Sequence, residues 1–518
     1  MTKTAIPAPA TAKTWIGLFA MSFGMFMAIL DIQIVASSLP DIQVGLRIPL
    51  EQLSWVQTAY LMAEIVAIPL TGWLSRVMST RGAFTAGLLG FTAASVACAA
   101  SEGFRSLVAA RIVQGFCGGL LIPLVFSAIF LMFSGRDRTR ATIVAGLMAM
   151  LAPTLGPTIG GFITDSYSWR WLFLVNVGPG IAAMLVAAAT VAIDRADWRG
   201  FGSVDLLALP LLAVFLGTLQ LILREAPHRG WSDGRMLGLM LICVGCGAGM
   251  IHRCRHHPSP LLDLSVFRDR NFTFGCCFSF VLGVGLYGAT YLLPVFLGVV
   301  RYHEAFEIGE IMFVTGAAQL AIAPIAALAE PRIDVRLLML VGFGLFALGL
   351  VGNGFMTPQT DFWGLFWQQL ARGAAIMLCL LPTTSLALSG LDPVHVPNAS
   401  GLFNLMRNLG GAIGLALIDT MLEWRAPAHI GALVQRLLAG DASAARFVGL
   451  PTERFTGVPI GDVDEATREL VEPLVRRAGL VMAFNDAWLL VGGLVLAAML
   501  LLPLLRRPRR AAPGDPIL

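Results

Sequence analysis

The chain has 518 residues, 57% of them hydrophobic and only 13% charged, against about 25% charged in an ordinary soluble protein. That excludes a water-soluble fold, because the 36 basic and 32 acidic residues gather in short islands between long apolar runs. The net charge of +4 is spread without a basic stripe, so nucleic acid is not an expected partner.

Each apolar run is roughly 18 to 25 residues long, which suits a helix rising about 1.5 Å per residue through a hydrocarbon core about 30 Å thick. In chain order they predict spans at roughly 15–39, 51–74, 83–100, 106–132, 141–163, 170–192, 204–222, 235–251, 272–297, 306–328, 335–354, 362–388, 398–421 and 486–505, about fourteen helices in an all-α polytopic membrane protein. The first run is too long for a signal-peptide core and no cleavage pattern follows it, so it reads as a retained helix. An even count puts both termini on one side. One set of loops holds Lys3, Lys13, Arg76, Arg81, Arg136, Arg138, Arg140 and the tail from Arg506 to Arg510, about nineteen basic residues in all, against about seven in the short opposite loops; both termini are therefore expected in the cytosol. None of the eight Cys falls in a segment placed outside the cytosol, so no structural disulfide is expected.

The expected organisation is a cytosolic tail (1–14), a six-helix half (15–192), a linker with an inserted helix pair (193–271), a second six-helix half (272–505) and a basic cytosolic tail (506–518). The second half includes a polar external segment, 422–485. Within that segment Leu470, Val471, Leu474 and Val475 form one helical stripe, suited to packing onto the bundle's own mouth or to binding a partner.

Assigning basic residues to loops leaves Arg111, Arg372 and Arg407 inside the membrane. Ala110-Arg111 with Pro123 echoes Ala371-Arg372 with Pro382, and Leu155-Gly-Pro-Thr-Ile-Gly160 echoes Leu409-Gly-Gly-Ala-Ile-Gly414. A duplicated half follows, with substrate expected between the halves near the midplane. Two carboxylates also lie in apolar runs: Asp31, roughly 12 Å from the external end of the first span, and Glu64, roughly 19 Å from the external end of the second. Arg111 sits about 8 Å down, a depth that allows it to pair with Asp31. Ionisable residues at such depths are expensive and mark transport pathways or interhelical pairs.

Five short motifs in order resemble the fourteen-helix drug:proton antiporter group of the major facilitator superfamily, typified by EmrB and QacA. They are Leu30-Asp-Ile-Gln-Ile-Val-Ala-Ser-Ser-Leu-Pro40, Gly72-Trp-Leu-Ser-Arg76, Arg111-Ile-Val-Gln-Gly115, Leu155-Gly-Pro-Thr-Ile-Gly-Gly161 and Trp169-Arg-Trp-Leu-Phe-Leu-Val-Asn176. The resemblance covers nearly the whole chain and implies the major facilitator fold, two six-helix halves plus two inserted helices. It departs from the pattern at Arg76, where the superfamily has Asp, at Ser79, where it has Gly, and at Gln33 and Ser37, where this group shows Thr and Asn.

The resemblance implies export of amphipathic or hydrophobic compounds driven by inward proton movement through alternating access. Release of a specific endogenous metabolite, siderophore or lipid is the alternative, with proton symport behind it. Proton coupling is expected of Asp31, Arg111 and Glu64: burial favours a protonated carboxyl and an approaching cation the ionised one, so a carboxylate alternating between those settings moves a proton. Asp31 is expected to carry the proton and Glu64 to select cargo by charge, no membrane cation being assignable at its depth. Gln33, Arg372, Asn404, Arg407 and Asn408 are the other candidate substrate contacts. Gly72 and Arg76, Gln114 and Gly115, and Gly156, Pro157, Gly160 and Gly161 are candidate conformational motifs; the Gly-Pro pair permits a kink and tight helix contact. The run Cys243, Cys246, His252, Cys254, His256 and His257 is not expected to bind metal, since its first two members precede the loop inside the bilayer. No Walker pattern or nucleophile elbow is present, so neither an enzyme nor a cofactor is expected. By family analogy, a periplasmic adaptor protein and an outer-membrane channel are the candidate protein partners.

Overall fold

The structure is a computed structural model. It describes residues 11–133, 135–191, 207–230, 232–257, 264–330, 332–388, 396–455 and 465–506, with 196, 205, 390–391, 457–458 and 460; the expected basic tail beyond Arg506 and most of the linker's stretches on either side of its helix pair lie outside these residues.

The first half comprises α1 (Ala12–Ser37), short α2 (Leu39–Leu46) and α3 (Leu50–Leu53), α4 (Trp55–Met78), α5 (Thr80–Ala99), α6 (Phe104–Met132), α7 (Gly135–Ser166), and a span broken into α8 (Trp171–Leu174) and α9 (Val177–Thr190). A hairpin of α10 (Ala208–Arg229) and α11 (Gly234–His256) follows, and Arg253 grips Asp205 at its base with Nη2–Oδ1 at 2.7 Å. The second half comprises α12 (Arg270–Val300), α13 (Ala305–Ala329), α14 (Val335–Gly352), α15 (Phe362–Leu388), α16 (Val396–Leu438), α17 (Ala442–Val448) and α18 (Glu465–Met499). Twelve helices among the described residues are long and apolar enough to cross a membrane, and shorter apolar stretches at Trp55–Ile68 and Ala208–Leu219 stand where the other two expected spans fall.

Several helices start where the sequence supplies an oxygen for the unpaired first-turn N–H groups. Asp269 accepts from the Phe272 N–H at 2.7 Å and Asp334 from the Arg336 N–H at 3.0 Å. Large apolar side chains such as Leu241, Val244 and Leu348 point outward, as they must in lipid. Tyr167, Trp171, Trp363 and Trp367 are exposed at one end of the bundle, the position of an aromatic belt.

Residue Pro40, after α1, packs against Gly298 near the end of α12, while Asn271 at the start of α12 donates to the Arg506 carbonyl. The start of α1 and the end of the described chain therefore lie at one end of the bundle, the terminal end. Asp41, Asp165 and Glu304 lie at the opposite end.

The two halves repeat one packing scheme: α7 lies against α1, and α16 against α12, through glycines whose neighbours' backbone occupies the space of a side chain. A Cβ on Gly160 would stand 2.4 Å from the Ile34 carbonyl oxygen, and one on Gly410 2.0 Å from that of Phe280. Contact between halves follows the same symmetry, with α7 on α13 and α16 on α4.

The segment expected to form an external loop from 422 is largely helix. The α16 helix runs on to Leu438 and α18 begins at Glu465, and Leu433, Leu437, Val448, Val475 and Ala478 bury one another between these extensions and α17. The expected stripe divides. Val475 is buried and Val471 packs on this small core, whereas Leu470 is exposed.

Candidate functional site

Three motifs far apart in sequence converge on Asp31, six residues before the end of α1. Arg111 and Gln114, one turn apart on α6, and Asn176, at the break between α8 and α9, all reach it. Arg111 Nη1 forms an ion pair with Asp31 Oδ2. Gln114 Nε2 and Asn176 Nδ2 each donate to Oδ1 at 2.9 Å. Arg111 Nε donates to the Val56 carbonyl at 3.0 Å and Nη1 to Gln114 Oε1 at 2.8 Å, and its guanidinium lies 4.4 Å from the Tyr60 ring centroid. Gln114 Nε2 also donates to Ser95 Oγ at 2.9 Å. Asp31 and Arg111 are both wholly inaccessible, and every partner named belongs to the first half. Gly115 allows this closeness, since a Cβ there would stand 2.2 Å from the Tyr60 carbonyl oxygen.

Glu64 behaves differently. It is buried on α4 where that helix meets α16, with Arg407 and Asn408 of the other half beside its carboxylate, whose Oε2 has no hydrogen-bond partner. Asn408 Oδ1 in turn accepts from Tyr287 at 3.1 Å, and Arg407 Nη2 donates to Asn404 Oδ1 at 2.6 Å. The expectation that no membrane cation stands at the depth of Glu64 is corrected: Arg407 does, because α4 and α16 cross there. Nearer the opposite end Ser54, just before α4, donates to Asp419 of α16, which also accepts from Tyr291 of α12 at 2.9 Å.

Along α7 and α13 the halves meet through small residues at three levels. A Cβ on Gly161 would stand 2.2 Å from the Ala305 carbonyl oxygen, one on Gly309 2.5 Å from that of Pro157, and one on Gly316 2.3 Å from Thr154 Cα. Gly156 and Gly160 face α1 instead, so the motif seats α7 against two neighbours at once. At the opposite end the Asp165 carboxylate accepts from the Ala305 and Phe306 N–H groups at 3.1 and 2.7 Å. This caps α13 from across the interface.

Behind that contact lies a cleft lined from the first half by Gln33, Pro153 and Pro157 and from the second by residues including Thr315, Gln319 and Arg372. Of the candidate substrate contacts, Gln33 and Arg372 line it. Glu64, Asn404, Arg407 and Asn408 lie along the α4–α16 crossing instead.

Gly72 has open space at its Cβ position, so close packing does not explain it; the Arg76 side chain lies outside the described residues. Ser79 holds φ 68°, ψ 157°, a region open almost only to glycine, which is why the superfamily pattern has Gly there. Sequence reasoning did not single out Asn176, Tyr287, Thr315, Gln369 or Asp419. Two of them carried a signal, Asn176 as the last residue of the fifth motif and Asp419 as an acidic residue inside the span expected at 398–421.

Comparison with known proteins agrees with this architecture. Residues 21–415 match the model of the Major Facilitator Superfamily. The chain is 42% identical over 428 residues to the Colistin resistance protein EmrB of Acinetobacter baumannii, covering 82% of this chain and 84% of that one. It is 28% identical to the Multidrug export protein EmrB of Escherichia coli, over 97% of both chains. Among solved structures, the partially occluded inward-open xylose transporter XylE of E. coli superposes with a TM-score of 0.61 over 97% of this chain and 99% of that one, at 12% identity, a likeness of fold alone.

Proposed function

The chain belongs to the Major Facilitator Superfamily and is a multi-pass membrane transporter, and from that premise we propose that it exports amphipathic or hydrophobic compounds across the cytoplasmic (inner) membrane in exchange for protons. The names of its relatives, multidrug export and colistin resistance, support efflux as the direction. Both termini are cytosolic in this reading, following the excess of Lys and Arg in the terminal-end loops, and the Asp41–Asp165 end faces outward.

The observation that carries the proposal is the placement of Glu64, buried on α4, against Arg407 and Asn408 of α16 across the halves. A proton drives a conformational change only by as much as its binding differs between the two states. Glu64 has partners in the other half that it must lose when the halves part, so its protonation and the opening of the outer end favour each other. Release of the proton to the inside restores the carboxylate, re-forms the tie to Asn408 and Arg407, and holds the empty carrier shut outside until cargo enters the cleft.

Asp31 is the second proton site. Its partners move with it, so proton uptake there requires α1 to part from α6. The α1 helix carries Gln33 at the cleft wall and bears directly on α7, a mechanical route from cargo to Asp31. The extended ends of α16 and α18 with α17 would offer a periplasmic adaptor protein its contact, and an outer-membrane channel would continue the path.

The reading is tested in liposomes containing the purified chain and an internal pH-sensitive dye. Cargo added on the cytosolic face should move protons the opposite way; cargo movement without proton movement, or with protons moving alongside, would refute it.

A further inference from the structure

Arg372 is the counterpart, in the duplicated half, of Arg111, but its surroundings differ. Arg111 is matched by Asp31, whereas Arg372 has no ion pair among the described residues. It is 3% exposed. Its Nη2 donates to Thr315 Oγ1 at 3.0 Å, and that hydroxyl donates onward to Gln369 Oε1 at 3.1 Å. The Trp488 ring lies 6.0 Å from the guanidinium carbon. Those contacts fix the guanidinium and leave Nη1 without a partner, as they leave Gln369 Nε2. A buried cation without a counter-charge is costly, and this one sits on the wall of the cleft between the halves.

We propose that Arg372 receives a negatively charged group of the cargo: the substrate class is an amphiphile with an anionic carboxylate or sulfonate head and an apolar body. The planar guanidinium suits such heads, offering paired donors to paired oxygens. Gln33, Thr290 and Gln319 supply further polar groups around the cleft, and Leu286, Met312 and Ile376 supply apolar wall. A molecule held there touches Pro153 and Pro157 of α7 as well as Arg372 of α15, so its binding senses the spacing of the halves. The proposal rests on the export reading only for calling the ligand cargo.

The test is equilibrium dialysis of radiolabelled octanesulfonate against the purified full-length chain, with octyltrimethylammonium, octanol and methanesulfonate as competitors and no proton gradient present. A failure of proton coupling therefore leaves this result untouched, and the reverse also holds. The wild type should bind octanesulfonate at least about tenfold more tightly than either octanol or octyltrimethylammonium. Arg372→Gln should remove that preference while leaving octanol binding in place, and Arg372→Lys should keep most of it. Equal binding of the three octyl compounds by the wild type would overturn the proposal even if the variants failed to fold, and so would an unchanged preference in Arg372→Gln. Methanesulfonate competing as strongly as octanesulfonate would show a site for small free anions and overturn the assignment to cargo.

Discussion

Glu64 and Asn408, one from each half, lie side by side inside the membrane where α4 meets α16, whereas Asp31 and Arg111, the most enclosed ion pair among the described residues, both belong to the first half. The first contact must break when the halves separate and the second need not. Substitutions at the two places should differ accordingly.

Arg111→Ala leaves Asp31 as an unpaired charge in a sealed site, and breaking a buried pair by removing one partner costs about 3–5 kcal/mol. Arg111→Lys keeps a charge but loses the donor to Val56, so its loss should be clearly smaller. Thermal unfolding of the purified variants in detergent distinguishes them; equally mild effects would mean the pair contributes little.

Gly161→Leu puts a side chain where the Ala305 carbonyl already lies within contact of a Cβ. The outer end should then fail to shut. In a background lacking other cysteines, a cysteine replacing Gln319 in the cleft should react several-fold faster with an impermeant maleimide added outside, and efflux should fall. Unchanged labelling would show that the α7–α13 contact does not close the path.

Much of this was legible in the sequence. A charged residue in an apolar run has few explanations, and helix rise alone set Asp31 and Arg111 at comparable depths. The Glu64–Asn408 contact was not legible, because it depends on which face of α4 meets which face of α16 across two separately packed halves. The length of α16 was hidden for another reason. Trp424-Arg-Ala-Pro427 reads as the start of a loop, yet the helix continues through Pro427 because Leu433 and Leu437 find Val475 and Ala478 to pack on.

Asp41, beyond the end of α1, is pushed up to about 6 by burial and then by the neighbouring charges of Asp165 and Glu304. Its ionised form is thus disfavoured where the halves meet. The contribution to closure is complete below the ordinary carboxylate value of 3.8 and is lost as pH rises through about 6; because Asp41 is partly exposed, it is worth about 1 kcal/mol after screening. Outside labelling of the cleft cysteine, taken at each pH relative to a fully exposed reference cysteine because the thiolate fraction itself grows with pH, should rise across that window in the parent and stay flat and low in Asp41→Asn. A parallel rise in both would exclude Asp41 as its source.

Ser79→Gly should stabilise the chain by about 1 kcal/mol, since glycine adopts the observed backbone without strain and the lost cap to the Gly82 N–H is worth only a few tenths when glycine replaces serine. A lower unfolding temperature for this variant would contradict the strain assigned to Ser79.

The most direct test of the inter-half tie is Glu64→Gln assayed with an uncharged cargo in liposomes that report cargo and proton movement together. If Glu64 links proton binding to the parting of the halves, the variant loses proton-driven efflux of neutral cargo as fully as of cations, and Asn408→Ala weakens it in the same direction. Neutral cargo still leaving at the parent rate, with its proton counter-flow intact and only cations affected, would contradict that link and return Glu64 to the cargo-selecting role its sequence position first suggested.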